Sequence, residues 1–179
     1  RSTPILKLEI RDPEFNPVPV GERGEIWMKG PNLIRGYWNK PEATAETIVD
    51  GWLRTGDLGR IDEDGFVYIE DRAKDMILRG GENVYSAEVE AAIYNHPAVY
   101  EAAVFGVPHE RLGEEVAVAL ESRPGETISQ EDLAAFLREH LAPFKTPRFW
   151  YLAEEFPLTP TGKIQKFVLR DTLAALRPL

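Results

Sequence analysis

Short stretches of alternating apolar and polar residues, separated by turn residues, fill the first third of the chain. Residues 5–10 and 24–30 both alternate in this way, which is typical of strands with one buried face. Residues 60–62 and 66–69 flank Glu63-Asp64-Gly65, so we predict a hairpin whose turn contains the Asp-Gly pair. The pattern therefore predicts a β-rich unit.

One helix is predicted within this unit, and the pattern becomes mixed after it. Residues 41–48 begin with Pro41, a residue favoured in the first turn of a helix. Beyond residue 75, strands are predicted at 99–105, 115–121 and 148–152, and helices at 86–95, 129–141 and 167–176. Ser86-Ala87-Glu88-Val89 predicts a capping box at the start of one helix, although its acid comes one residue early. Gly80-Gly81 predicts a second hairpin turn.

These elements predict an α+β fold with two parts. Residues 1–71 are interpreted as the β-rich end of a larger domain, and residues 72–75 as a hinge. Residues 76–179 are interpreted as a small α+β domain with a short antiparallel sheet flanked by helices. The chain has 179 residues, of which 43% are hydrophobic and 28% charged, a composition typical of globular domains.

Composition and charge exclude several classes of function. The net charge of -9 disfavours nucleic acid and anionic membranes as partners, because both bind a net basic face, although a local basic pocket for a phosphate remains possible. The chain has no Cys, and its three His are scattered, so we expect no metal site within it. No apolar run approaches the length of a transmembrane segment. We expect a cytoplasmic location.

Three motifs contain residues suited to chemistry. Arg54-Thr55-Gly56-Asp57-Leu58 allows Asp57 to offer two carboxylate oxygens to adjacent hydroxyls, such as those of a ribose. The charged run at 71–75, followed by Gly80-Gly81, suits a hinge and a loop that another backbone or a ligand approaches closely. Lys163 in Thr161-Gly162-Lys163 can meet developing negative charge in a neighbouring site. Taken singly, the motifs also fit a capped turn, a solvated linker and a surface lysine.

Read in order, these motifs resemble those of the adenylate-forming superfamily of acyl-CoA synthetases, adenylation domains and luciferases. The resemblance rests on Gly24-Glu25-Ile26, residues 36–41, residues 52–57, residues 71–90 and Pro160-Thr161-Gly162-Lys163. It covers nearly the whole chain. Residues 80–83 and 143–148 are most similar to carboxylic-acid CoA ligases.

The resemblance implies a role for each motif residue. Asp57 and Arg72 would bind the ribose of ATP or AMP, with Arg72 also near the phosphate. Lys163 would bridge the α-phosphate and the substrate carboxylate during adenylation. Lys74 would be the hinge residue, and Gly80 and Gly81 would line the channel for the pantetheine arm of coenzyme A.

The resemblance also implies missing parts. The family's phosphate-binding loop, its Tyr-Gly-x-Thr-Glu motif and its acyl pocket are not found here, so we expect them, with the Mg²⁺ ligands, upstream of Arg1. The partner would be the N-terminal adenylating domain of the same polypeptide, and this fragment alone would be inactive.

The implied reaction is ATP-dependent ligation of a carboxylic acid, preferably a medium- or long-chain fatty acid, to coenzyme A. An adenylation domain that loads a carrier protein is one alternative. A non-catalytic partner-binding module is another, disfavoured because Asp57, Arg72 and Lys163 are the residue types that catalysis needs.

Overall fold

A computed structural model describes residues 5–172 and 177–179 of the chain. The described residues divide into two compact units, Arg1–Lys74 (unit 1) and Asp75–Leu179 (unit 2). Both contain a β-sheet and at least one helix, so the predicted α+β class is confirmed. The assignment of residues 72–75 as a hinge between domains stays a prediction.

Unit 1 is a twisted antiparallel sheet with one short helix. The strands pair in the order β1-β2-β4-β3, and β5 also pairs with β4. The elements of unit 1 are β1 Lys7–Arg11, β2 Gly24–Lys29, α1 Pro41–Thr47, β3 Ile48–Val49, β4 Trp52–Ile61 and β5 Val67–Arg72.

The predicted hairpin and helix of unit 1 are confirmed. Asp62 closes the turn between β4 and β5, because its carboxylate accepts the Phe66 N–H at 2.8 Å, while Gly65 adopts a left-handed φ of 76°. Pro41 begins α1 as predicted. Ile26 and Trp27 of β2 are both buried, and because adjacent strand residues point to opposite faces, both faces of β2 are covered at this point.

Unit 2 is built on two long central strands. Its strands pair in the order β11-β10-β9-β6-β7, and β8 also pairs with β9. The elements of unit 2 are β6 Ile77–Arg79, β7 Glu82–Val84, α2 Ser86–Ile93, β8 Val99–His109, β9 Gly113–Ser122, α3 Gln130–Arg138, β10 Phe149–Leu152, α4 Lys166–Asp171 and β11 Arg177–Pro178.

The sheet of unit 2 is antiparallel except between β10 and β9, which run parallel. A parallel pair needs a crossover connection, and the segment that contains α3 provides it. Alternate residues of β9 lie in different apolar clusters. Val116, Val118 and Leu120 pack with α2 and α3, whereas Ala117 and Ala119 pack with Leu169 of α4. Both faces of the central sheet are therefore covered, which explains the continuous apolar runs in the sequence.

The predicted capping box at Ser86 is wrong. Tyr85 is the N-cap residue of α2, and it makes no side-chain capping bond. Ser86 lies inside the helix and is buried. Its hydroxyl accepts a hydrogen bond from the Lys166 ammonium at 2.8 Å, so a tertiary contact has replaced the local cap.

The end of the chain was predicted only in part. The helix predicted at 167–176 is present as α4, from Lys166 to Asp171, and its predicted remainder at 173–176 lies outside the described residues. The β11 strand that follows was not predicted. Among residues 5–172 and 177–179, no helix is long and apolar enough to cross a membrane.

Candidate functional site

Asp57 and Arg72 lie opposite each other on neighbouring strands. They are cross-strand partners on β4 and β5, and Asp57 Oδ1 is 3.4 Å from Arg72 Nε. The Asp57 side chain is 27% exposed and that of Arg72 is 55% exposed, so a ligand can reach both. A carboxylate beside a guanidinium can accept from the hydroxyls of a diol and donate to a phosphate oxygen.

A β-bulge sets this pairing. Between Ile61 and Gly59 the ladder follows one register, which pairs Gly59 with Ile69. The register then shifts by one residue, so that Leu58 pairs with Asp71 and Asp57 with Arg72. A bulge of this kind changes which side chain faces a given partner.

Glu25 supports the part of β4 that precedes Asp57. Its Oε2 accepts from Arg54 Nε at 3.1 Å and from Arg54 Nη2 at 3.0 Å, and it also accepts from Trp27 Nε1 at 3.2 Å. The Glu25 Oε1 atom accepts the Gly56 N–H at 3.3 Å. One carboxylate thus connects β2 to the residue before Asp57. Sequence reasoning quoted Glu25 within a motif and assigned it no role.

The backbone at Gly56 and Asp57 is held by a second set of bonds. Gly56 adopts a left-handed φ of 72°, which a side chain would disfavour. The Thr55 hydroxyl donates to the Ile26 carbonyl at 2.8 Å and accepts the Asp57 N–H at 3.1 Å. Asp57 therefore stands on a backbone that is fixed before any ligand arrives.

Lys74 lies in the short connection between the last strand of unit 1 and the first strand of unit 2. Ala73–Asp75 form a single 3₁₀ turn, and the Lys74 side chain is exposed. The structure gives Lys74 no packing role among the described residues, and its role as a hinge residue stays a prediction.

Gly80 and Gly81 form the tip of the β6–β7 hairpin. Both adopt left-handed φ angles, 59° and 89°. The Gly80 N–H donates to the Leu112 carbonyl at 2.8 Å, which ties the tip to the loop between β8 and β9. A Cβ atom on Gly80 would lie 3.1 Å from Leu112 Cδ2, whereas one on Gly81 would meet nothing within 4 Å. Gly81 therefore leaves open space for a ligand.

Lys163 ends a closed turn. Thr159 and Lys163 are joined at both ends, because the Thr159 N–H donates to the Lys163 carbonyl at 2.8 Å and the Lys163 N–H donates to the Thr159 hydroxyl at 3.0 Å. Gly162 has a left-handed φ of 82°. The exposed Lys163 side chain is presented by a preformed turn.

The predicted site residues fall into three groups. Asp57 and Arg72 are brought together in unit 1. Gly80 and Gly81 lie between β6 and β7 of unit 2, while Lys163 lies between β10 and α4 of the same unit. The glycine tip and the lysine turn are thus on different elements of one unit.

Unit 2 also has a basic cleft that sequence reasoning did not find. The cleft has a volume of about 380 Å³ and is lined by Arg79, His109, Arg111, Leu112, Glu115, Arg148 and Phe149. These residues come from four separate segments, so no local motif could have shown the cleft. The overall charge of -9 also conceals it.

One of the cleft arginines is already paired. Arg79 donates to the buried Glu115 carboxylate through Nε at 2.5 Å and Nη2 at 2.9 Å. Burial alone would raise the pKa of Glu115, but the hydrogen bonds from Arg79 and from the Val116 N–H, together with the charges of Arg79 and Arg148, lower it. Arg111 and Arg148, which are exposed, remain available to an anion.

The acidic side chains do not form a metal site in the part of the chain that the structure describes. No group of three or more His, Cys, Asp or Glu residues there could hold a metal ion. The described residues therefore do not fit a magnesium site, and no step is assigned to magnesium.

Part of unit 2 is similar to a known protein family. Residues 88–163, all within unit 2, match the family model of the AMP-binding enzyme C-terminal domain. This part of unit 2 is therefore similar to AMP-binding C-terminal domains. The predicted resemblance to adenylate-forming enzymes is confirmed for this part of the molecule.

Proteins similar to this chain include two ligases. The chain is 50% identical over 143 residues to the long-chain-fatty-acid–CoA ligase of Bacillus subtilis, covering 80% of this chain and 26% of that protein. It is 45% identical over 168 residues to the fatty acid–[acyl-carrier-protein] ligase ScoC of Streptomyces coeruleorubidus, covering 94% and 32%.

A solved structure gives the same fold. ATP-bound MatB from Rhodopseudomonas palustris matches with a TM-score of 0.87 and 42% identity, over 94% of this chain and 34% of that chain. The chain thus spans about a quarter to a third of the length of the relatives it matches.

Proposed function

We propose that this chain is the C-terminal part of an ATP-dependent ligase that joins a carboxylic acid to coenzyme A. The observation that supports this most is the Asp57–Arg72 pair, which stands at 3.4 Å in unit 1 of a chain whose unit 2 matches the family model of the AMP-binding enzyme C-terminal domain. The complete enzyme would include an N-terminal adenylating domain, with which these residues complete the active site.

In the proposed reaction, an oxygen of the substrate carboxylate attacks the α-phosphorus of ATP and pyrophosphate leaves. Asp57 would hold the ribose hydroxyls, and Arg72 would donate to the same ribose or to the phosphate. Charge on the phosphoryl oxygens grows as the bond forms, and the Lys163 ammonium would stabilise it. The product is an acyl-adenylate.

The second half-reaction would use the other loop of unit 2. The thiol of coenzyme A attacks the acyl carbonyl, its proton is lost to solvent, and AMP leaves. The pantetheine arm would pass the Gly80-Gly81 tip, where no Cβ atom narrows the space. Because the glycine tip and Lys163 are on different elements, we propose that unit 2 rotates about residues 72–75 between the half-reactions, with Lys74 as the pivot.

The basic cleft supports coenzyme A as the acyl acceptor. Coenzyme A has phosphates on its nucleotide portion, and Arg111 and Arg148 offer exposed guanidinium groups on the cleft that Leu112 also lines. The Leu112 carbonyl binds the Gly80 N–H, so the cleft adjoins the glycine tip. An acceptor that passes this tip can therefore place its phosphates near these arginines.

A carrier protein is the second candidate acceptor. The relative ScoC is named as a fatty acid–[acyl-carrier-protein] ligase, and a carrier protein also presents a pantetheine thiol. Offering the complete enzyme coenzyme A and carrier protein separately, each with a supplied acyl-adenylate, distinguishes the two acceptors.

The acid we propose is a medium- or long-chain fatty acid, in line with the name of the Bacillus subtilis relative.

Replacing Lys163 tests the proposal in the complete enzyme. We expect Lys163→Ala to slow adenylation, measured by pyrophosphate exchange, by about 10²–10³-fold, the effect of removing one electrostatic stabiliser. Conversion of a supplied acyl-adenylate to acyl-CoA should stay close to wild type. Lys7→Ala, which removes an exposed lysine from β1, is the matched control. Equal losses in both half-reactions would contradict the role assigned to Lys163.

A further inference from the structure

Lys166 makes two polar contacts that the proposed chemistry does not use. It is the first residue of α4 and follows the Lys163 turn closely. Its ammonium lies 2.7 Å from Glu90 Oε1 and donates to the Ser86 hydroxyl at 2.8 Å. The side chains of Lys166 and Glu90 are only 19% and 18% exposed, so this ion pair is better shielded from water than a surface pair.

The Glu90 carboxylate joins three elements at one point. Glu90 lies in α2, and its Oε1 accepts the Val104 N–H of β8 at 2.8 Å as well as the ammonium of Lys166 in α4. Lys166 therefore fixes the start of α4 to both the helix and the central sheet of unit 2. Two acceptors on α2 hold one ammonium, which restricts its position more than a single contact would.

The Lys163 turn depends on α4 for its direction. The polar bonds of the turn lie within its own segment, because Thr159 bonds to Lys163 and Gln165 bonds to the carbonyls of Pro157 and Leu158. These bonds fix the shape of the turn but do not connect it to the sheet. It is attached through Phe156 on its entering side, through Ile164 and Leu169 on the α4 side, all of which pack in one apolar cluster, and through the Lys166 ammonium.

We infer that Lys166 is a positioning residue for Lys163, an inference that rests on the proposed role of Lys163 in adenylation. Apolar packing of α4 can keep the helix on the sheet while allowing it to slide or rotate slightly. The directional bonds to Glu90 and Ser86 remove that freedom at the residue nearest the turn. An error of about 1 Å in the placement of a reacting group can cost about 10²-fold in rate, so this restriction matters.

The test is a double-mutant cycle in the complete enzyme. Lys166→Met should lower kcat for pyrophosphate exchange by about 10- to 100-fold with little change in KM for ATP. Thioester formation from a supplied acyl-adenylate should stay within about twofold of wild type. In a Lys163→Ala background, Lys166→Met should cause no further loss of adenylation, because the group that it positions is gone. Lys166→Arg, which keeps the charge, should recover part of the rate.

Lys145→Met is a matched control. Lys145 also pairs with α2, through Glu88 at 2.5 Å, but it lies far along the chain from Lys163, so its loss should leave adenylation unchanged. Glu90→Gln is the second variant if Lys166→Met does not fold, and it should reproduce the loss of kcat because the partner charge is removed.

The possible outcomes separate the two hypotheses. A wild-type rate of adenylation in Lys163→Ala would overturn the proposed role of Lys163. A slow Lys163→Ala enzyme together with wild-type Lys166→Met and Glu90→Gln enzymes would overturn only the positioning role. An equal further loss when Lys166→Met is added to Lys163→Ala would show that Lys166 acts independently of Lys163, and this also overturns the inference.

Discussion

Replacing Asp57 by Asn separates nucleotide binding from folding. The substitution keeps the size of the side chain and removes its charge. Because the Asp57 and Arg72 side chains are 27% and 55% exposed and stand 3.4 Å apart, their ion pair contributes only about 0.2–1 kcal/mol to stability. We therefore expect the free energy of unfolding of Asp57→Asn to fall by less than about 1 kcal/mol.

The expected loss of nucleotide affinity is larger. A hydrogen bond to a charged group contributes about 1.5–3 kcal/mol, compared with about 0.5–1.5 kcal/mol for a neutral pair. If Asp57 accepts from both ribose hydroxyls, losing its charge weakens two bonds by about 1–1.5 kcal/mol each. The sum of about 2–3 kcal/mol corresponds to about 30- to 150-fold weaker binding of ATP.

The measurement is calorimetric titration of the complete enzyme with ATP and with 2′,3′-dideoxy-ATP. Wild-type enzyme should bind the dideoxy nucleotide at least as weakly as Asp57→Asn binds ATP, because both charge-assisted bonds are lost, and Asp57→Asn should distinguish the two nucleotides less than wild type does. Glu63→Gln is the matched control, because it removes an exposed acid at the tip of the same β4–β5 hairpin and should bind both nucleotides as the wild type does.

The comparison of the two nucleotides decides the role of Asp57. If Asp57→Asn weakens ATP and the dideoxy nucleotide by the same factor, the carboxylate does not contact the ribose hydroxyls. The reasoning from the Asp57–Arg72 pair to a ribose site is then refuted, even if the variant enzyme is inactive.

Two further predictions concern the hinge and the core of unit 2. Lys74→Pro, which fixes φ near -65°, should retain adenylation and lose most thioester formation. Lys74→Ala should match wild type in both half-reactions because the side chain is exposed. Equal damage in the two variants would exclude Lys74 as the pivot. Arg79→Met should destabilise unit 2 by about 3–5 kcal/mol, because the 5% exposed Glu115 carboxylate loses its partner. Hydrogen exchange of the β9 amides measures this loss. The control is Arg170→Met, at an exposed ion pair, which should lower the free energy of unfolding by less than about 0.5 kcal/mol. In wild type the pKa of Glu115 is lowered from its ordinary 4.5, so the ionised carboxylate stabilises the folded state above that pH, and this stabilisation is lost as pH falls through the folded-state pKa. In Arg79→Met burial raises the pKa of Glu115, so the destabilisation should be largest at neutral pH and shrink in acid. A difference in stability that does not depend on pH would contradict this assignment.

Periodicity predicted most of the fold because burial in this chain follows local patterns. Residues 99–105 and 115–121 were predicted as strands, and they form the first part of β8 and the central part of β9. The helix around Leu133 and Leu137 is present as α3, with Ser129 as its N-cap. In these elements the local pattern and the tertiary packing favour the same structure.

The predictions failed where tertiary contacts decided the outcome. Ser86 has the local features of a cap, but its hydroxyl binds Lys166, which lies far along the chain. The basic cleft is formed by arginines from separate segments. Neither feature leaves a signal within a short window of sequence.

The sequence suggested the candidate site residues one by one but not their arrangement. Motif order indicated Asp57 and Arg72, and only the strand register shows that they face each other. The register depends on a one-residue bulge, which neither alternation nor the turn sequence revealed. The support that Glu25 gives to Gly56 was hidden for the same reason.

The bulge in the β4–β5 hairpin has a consequence for the fidelity of folding. If the regular register continued past Gly59, Asp71 would stand opposite Asp57, and two carboxylates would face each other across the strands. Like charges directly opposite destabilise a strand pair, so the unbulged hairpin is a poor competitor. Glu70, whose carboxylate lies 3.1 Å from Arg60 Nε and 2.5 Å from Arg23 Nε, adds attraction to the bulged form. The acids and arginines around the bulge thus help the nascent hairpin to choose its register.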